Sequence, residues 1–357
     1  MKIARLREVA KDAARFDLHI THTGQHFDQN MAKIFFEQFG IQPDTVLDAG
    51  TGTAAVQLAK MIQALSDHFC CLSPNLVIAV GDVNSALAAA LVANKMGIDL
   101  AHLESGLRSS DRSMPEEINR IIVDELSNIC FVTEPSGQQN LLQTGKHIGQ
   151  IHLIGNTMID TLVAMESKVT QSTVLRDLKL PKDFALVTAH RPALVDLKSG
   201  LEFLCEMLEI TSKYYHVCFP MHPRTYKNLH HFGLLEKLER NERVLLTEPL
   251  DYLRFQRIVK SARVILTDSG GLQEEAAYRK QPCLTFRQNT ERPVTVELGT
   301  NTLIGFDLAL LEKELSRIQS GCYKPGQDIP LWDGAATERI VRIINDFFEK
   351  RTGDTHA

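Results

Sequence analysis

The sequence predicts an α/β protein made of two Rossmann-like, doubly wound domains facing a cleft. Three observations predict it. Short β-rich apolar runs alternate with amphipathic segments of helical length, the series restarts halfway along the chain, and several of the runs stop at an acid or a histidine. Such alternation gives parallel sheets covered by helices. A polar residue that ends an apolar strand lies at the carboxyl edge of the sheet, where open α/β sheets bind ligands. At 357 residues the chain exceeds the size that one core usually serves. The expected division is residues 1–160, residues 161–335, and a final helix over 336–357 that either stays with the second domain or crosses back to the first.

Taken in order, the chain opens with MKIARLREVAKDAARF, which reads as a helix where a buried strand is usual. The strands LHITHT, LVIAV, DLAHL, ICFVT and IHLIG follow, with helices that include NMAKIFFEQFG, NSALAAALVANKMG and PEEINRIIVDELS. The polar stretch MESKVTQSTVLRDLKLPKD contains no apolar strand and reads as the region of the domain junction. The second series comprises FALVTAH, HVCFPMH, RVLLTE, RVILTD, QPCLTF and NTLIGF, and AATERIVRIINDFFEKR closes the chain with helical spacing.

In the first half Asp82 ends LVIAVGD, Glu104 ends DLAHLE, and Glu116 lies in the helix start Met114-Pro115-Glu116-Glu117. Neighbouring carboxylates separate each other's pKa values, which suits proton abstraction and return. Asp82 and Glu116 also fit a plain capping role, since acids often follow strands and open helices. In the second half RVILTD runs into Ser269-Gly270-Gly271 and then a helix near Leu272. Glycines let the backbone approach a ligand, and free N–H groups at a helix start bind phosphate oxygens. Glu275 lies one turn inside, placed to accept from a ribose diol, whereas Glu274 reads as a solvated helix acid. Arg292 precedes a proline in a loop, where it either clamps a diphosphate or is a surface arginine. His190 and His222 end adjacent strands, each beside an arginine (Arg191, Arg224), an arrangement for an anionic ligand. Phe255 reads as core.

The segments TGQHFDQNM, VGDVNS, HLESGLRS, MPEEINR, GNTMID, TAHRP, FPMHPRT, LTDSGGLQEE, NTERPVT and GTNTLIG occur in this order. Together they resemble the UDP-N-acetylglucosamine 2-epimerase family, non-hydrolysing branch, from Lys2 to about Ile343. The resemblance implies a glycosyltransferase-B arrangement and a cytoplasmic homodimer without nicotinamide or metal. It also implies reversible conversion of UDP-GlcNAc to UDP-ManNAc, a supply of precursors for bacterial surface polysaccharide. In that chemistry UDP leaves C1 as the C2 proton departs, and UDP adds back to 2-acetamidoglucal after a proton returns to the opposite face. Asp82, Glu104, Glu116 and His190 take the family's catalytic positions. Lys2, Arg120, His222, Ser269, Gly270, Gly271, Glu275 and Arg292 surround diphosphate, ribose and sugar, and Phe255 moves beside the uracil. At Arg120 the plain reading is an i,i+4 pair with Glu116.

Departures from the family accompany the likeness. Its first strand and G-[TA]-R-P turn have no counterpart ahead of Met1-Lys2-Ile3-Ala4, GTGTAAVQLAK diverges, and Ala193-Leu194 replace a small polar residue and an asparagine. A start set at an internal methionine and a truly shortened chain are the two explanations, and a shortened chain is expected to lose a buried strand and a phosphate-facing arginine. Alternatives on the same scaffold are the hydrolysing branch, a related UDP-diacetamido sugar, a glycosyltransferase, and an inactive nucleotide-sugar binder.

The formal charge of −5 and the pI near 6.2 lack the basic balance of a nucleic-acid partner. No apolar run reaches the ~18–20 residues needed to span a bilayer. The seven cysteines include no C-x-x-C and read as reduced core residues of an intracellular protein.

Overall fold

Parallel ladders dominate both halves of the computed structural model, which describes residues 1–24, 34, 36–48 and 52–354. Most of TGQHFDQNM and the first half of NMAKIFFEQFG lie outside these residues. Two compact units divide the chain: Met1–Thr161 with Pro330–Ala357, and Leu162–Ile329.

In the first unit, β1 (Thr21–His22) and β2 (Thr45–Val46) form a short parallel pair. The expected strand LHITHT therefore shrinks to two residues, and its partner was not foreseen. A separate four-stranded parallel sheet runs in sequence order through β3 (Leu76–Val80), β4 (Asp99–Leu103), β5 (Ile129–Val132) and β6 (Ile151–Leu153). The opening helix is confined to Leu6–Ala13 and packs with the closing helix, Ala336–Asp354, beside β4 and β5. Asp160, wholly buried, fastens that return: it accepts from the Ala336 and Thr337 N–H groups at 3.1 and 2.6 Å and from the Thr337 hydroxyl at 2.6 Å. The Trp332 indole N–H donates to the Thr133 carbonyl at 3.0 Å. An acid at a helix start satisfies N–H groups that have no partner within the helix.

The second unit holds a six-stranded parallel sheet. Its strands are β7 (Phe184–Thr188), β8 (His216–Pro220), β9 (Val244–Thr247), β10 (Val264–Thr267), β11 (Cys283–Thr285) and β12 (Asn301–Leu303). Their spatial order is β12-β11-β10-β7-β8-β9. The chain winds outward from β7 in one direction and from β10 in the other, so the topological switch point lies between those two strands. Near-continuous burial of β7, β8 and β10 matches a sheet covered on both faces.

MESKVTQSTVLRDLKLPKD lies just past the division between Thr161 and Leu162, and it carries the end of helix Thr157–Gln171 and the turn of helix Val174–Asp177. The reading of every cysteine as a core residue is corrected. Of the cysteines, Cys130, Cys205, Cys218 and Cys283 are buried, whereas Cys70, Cys71 and Cys322 are exposed. Among the described residues no helix is long and apolar enough to cross a membrane.

Candidate active site

Asp82 and Glu104 leave the carboxyl ends of neighbouring strands. The β3–β4 register pairs Val80 with Leu103, and the Gly81 N–H donates to the Leu103 carbonyl at 2.9 Å. Gly81 turns the chain at φ +70°, and Glu104 itself takes φ +73°. That value is costly for a side chain with a Cβ, and such strain gathers at functional sites. The turn continues through Gly106, where an added Cβ would stand 2.2 Å from the Gly137 carbonyl oxygen, a contact only glycine permits.

Each of the two acids has a cation. The Lys2 ammonium lies 2.7 Å from Glu104, which is almost fully buried. Arg120 donates to the Asp82 carboxylate and, at 3.0 Å, to Glu117. Arg120 thus pairs with Asp82 and Glu117 rather than with Glu116 in the plain i,i+4 reading. Glu116 is half-buried; its neighbour Glu117 is buried and accepts from the Ser109 N–H and hydroxyl at 2.8 and 2.9 Å. Asn119, on the same helix, Pro115–Leu126, donates to the Asp82 carbonyl at 2.8 Å.

Beneath these groups is a network that motif reading missed. Asp124 accepts from His102 Nδ1 at 2.6 Å, the Ser105 hydroxyl at 2.5 Å, the Gly106 N–H at 3.1 Å and Arg108 at 2.6 Å. Burial works against its ionisation, but His102, Arg108 and Ser105 together pull its pKa down to about 2. Glu117, Arg120 and Asp124 recur at i, i+3 and i+7, so they share one helix face. A stripe of alternating charge just after two strand-end acids is the signal that could have found them.

In the second unit His190 and Asp268 leave β7 and β10, the strands that flank the switch point. Thr188 pairs with Thr267, and the two hydroxyls are 2.7 Å apart. His190 Nδ1 lies 2.8 Å from Asp268, whose other oxygen accepts the His190 and Arg191 N–H groups at 2.8 Å. Burial raises the cost of charge on Asp268, but His190 and these N–H groups hold its pKa below the usual carboxylate value. The His222 ring lies 6.0 Å from that of His190 and caps helix Pro223–His231 through the Arg224 N–H. Burial, His190 and Arg224 all lower its pKa.

Ser269 caps helix Gly270–Tyr278, which therefore begins two residues before the expected start. The Arg292 guanidinium lies against its first turn, since a Cβ on Gly270 would stand 3.2 Å from it. Arg292 is buried and pairs with Glu274 at 2.8 Å, so Glu274 is no solvated acid, and Arg292 is no surface arginine. Arg287 forms a two-pronged pair with Glu291 at 2.8 and 2.9 Å, and Arg191 and Arg292 approach the same carboxylate at 3.7 and 3.8 Å. Burial and the nearby Arg287 lower the Arg191 pKa. Arg191, Arg287 and Arg292 thus stand together around Glu291, with Glu274 paired to Arg292, so an anion there can meet more than one guanidinium. Glu275 accepts from the Gln256 amide at 2.6 Å, and burial raises its pKa to about 7. Phe255 is half-buried and packs on the cluster that includes Phe184, Ile258 and Leu272.

The family model described as UDP-N-acetylglucosamine 2-epimerase matches residues 7–345. The UDP-N-acetylglucosamine 2-epimerase of Methanocaldococcus jannaschii is 40% identical over 344 residues, covering 94% of this chain and 93% of that one. The crystal structure of the M. jannaschii UDP-GlcNAc 2-epimerase in complex with UDP-GlcNAc and UDP superposes with TM-score 0.88 at 39% identity, over 96% of this chain and 95% of that one. The UDP-2,3-diacetamido-2,3-dideoxy-D-glucuronate 2-epimerase of Pseudomonas aeruginosa is 38% identical, covering 80% and 79%.

Proposed function

Because the chain belongs to the UDP-N-acetylglucosamine 2-epimerase family, we propose that it interconverts UDP-GlcNAc and UDP-ManNAc by elimination and re-addition of UDP. The observation that carries this reading is the pair of acids at the ends of adjacent strands, each held by a cation, in a chain matched to that family from residue 7 to 345.

The chemistry asks for what these residues offer. The C2–H bond of the sugar has no neighbouring carbonyl, so its electron pair must move into a C1–C2 double bond as the C1–O bond to UDP breaks. A base on one face takes the proton, and an acid on the other face returns one before UDP re-forms the bond to C1. Asp82 and Glu104 carry these transfers, with Glu116 and His190 supporting them. Arg120 orients Asp82. Lys2, which the structure seats on Glu104, steadies that carboxylate instead of serving the diphosphate alone.

In the second unit, the first turn of helix Gly270–Tyr278, with Ser269, Gly270 and Gly271, receives the departing diphosphate. Arg292 and His222 add positive charge or N–H donors there. Glu275 binds the ribose hydroxyls, and Phe255 offers its open side to the uracil. The enzyme works as a cytoplasmic homodimer, and the reaction draws on neither nicotinamide nor metal.

Product analysis tests this reading. Incubation with UDP-GlcNAc, followed by phosphorus and proton NMR, is expected to show UDP-ManNAc accumulating to an equilibrium mixture. Free ManNAc released with an equal amount of UDP would assign the protein to the hydrolysing branch. A second reading, a UDP-diacetamido uronate as substrate, is favoured by the 38% identity to the P. aeruginosa enzyme. Turnover of that sugar with none of UDP-GlcNAc would select it.

A further inference from the structure

His102 sits in β4, wholly buried, directly before Leu103 and Glu104. Both of its ring nitrogens face acceptors. Nδ1 lies 2.6 Å from the Asp124 carboxylate and 3.3 Å from the Ser105 hydroxyl, whose own proton goes to Asp124 at 2.5 Å, and Nε2 lies 2.9 Å from the Gly81 carbonyl. A carbonyl and a carboxylate with no proton of its own can only accept, so both bonds form only if both nitrogens carry hydrogen. Neutral imidazole has a single N–H and would leave one of these buried acceptors facing a lone pair.

The placement ties His102 to both strand-end acids. Gly81, whose carbonyl it holds, immediately precedes Asp82. Glu104 is two residues beyond His102, and the next two residues, Ser105 and Gly106, donate to the same Asp124 that holds the ring. Asp124 belongs to the helix whose Arg120 and Asn119 grip the Asp82 carboxylate and carbonyl. Strand β3, strand β4 and helix Pro115–Leu126 therefore converge on one imidazole ring.

We infer that His102 is a doubly protonated positioning residue: with Asp124 as its counter-ion, it locks the Gly81–Asp82 turn and the Glu104–Gly106 turn in mutual register. It touches no substrate. Its effect on turnover rests on the epimerase reading above; its protonation state does not.

Two measurements test the inference. The first is 15N NMR of the full-length protein labelled at its histidines, with His102 assigned by difference from His102→Gln. Both ring nitrogens are expected to resonate as N–H in the wild type, and a bare nitrogen at His102 overturns the proposal without any variant having to be active. The second is kinetic. In Asp124→Asn the amide puts an NH2 group among four donors and removes the counter-ion, so kcat is expected to fall by about 10–100-fold. KM for UDP-GlcNAc is expected to stay within about threefold, because nothing that binds UDP has changed. Unchanged kcat in a folded Asp124→Asn protein also overturns the proposal. A wild type that epimerises nothing would count against the functional reading alone, leaving the NMR result to decide the protonation state.

Discussion

Asp124 and Glu275 are both carboxylates buried on a helix, one in each unit, and their surroundings drive them in opposite directions. Asp124 gathers donors from an imidazole, a hydroxyl, a backbone N–H and a guanidinium, which pull its pKa to about 2. Glu275 has the Gln256 amide at 2.6 Å, and burial pushes its pKa to about 7. The contrast separates two designs. Asp124 is fully supplied with donors by the protein's own residues. Glu275 is under-provided by the protein, as suits a group proposed to meet ligand hydroxyls.

The same contrast orders the expected effects of substitution. Asp82→Asn keeps the shape and an acceptor for Arg120 but loses the proton-transfer group, so kcat is expected to drop by about 10²–10⁴-fold. UDP affinity, measured by calorimetry, should stay within a few-fold; normal turnover would remove Asp82 from its role. Arg292→Ala should weaken UDP binding by roughly 2–5 kcal/mol and also lower the melting temperature, since it leaves Glu274 buried without its cation. Adding Glu274→Gln should recover the melting temperature and not the affinity. Recovery of both would mean that Arg292 serves only the fold.

Smaller effects concern pH. The folded pKa of Glu275 is raised, so its contribution to stability is fully present below the unfolded value of 4.5 and is lost as pH climbs through about 7. Relative to Glu275→Gln, the wild type should lose roughly 3 kcal/mol across that window. Asp124 is depressed, so its contribution is present above 3.8 and is lost as pH falls through about 2. Relative to Asp124→Asn, the wild type should lose about 2 kcal/mol there. Denaturant titrations at several pH values read both, and slopes of the same sign would erase the contrast.

Local physics decided what could be read before any coordinates. Apolar runs that stop at Asp82, Glu104, His190 and Asp268 announce strand ends, because alternation of strands with helices forces parallel order, and the structure places each residue there. Glu274, Asp124 and His102 were missed for a shared reason: a polar residue on a helix or strand gives no sign of its role until its partner is known, and Arg292, Arg108 and Gly81 lie 16 to 21 residues away. The pair β1–β2 was half missed because two-residue strands carry no periodicity, and their pairing is a non-local matter. Lys2 needed coordinates as well, since its partner Glu104 is 102 residues distant.

The central claim is that the C2–H bond breaks and re-forms through protein acids. Incubation with UDP-GlcNAc in D2O, with mass and proton NMR analysis of both UDP-sugars, tests it most directly. The account predicts solvent deuterium at C2 of the UDP-ManNAc formed and of the recovered UDP-GlcNAc, entering at least about a hundredfold more slowly with Asp82→Asn. Epimer that retains protium at C2 would contradict it.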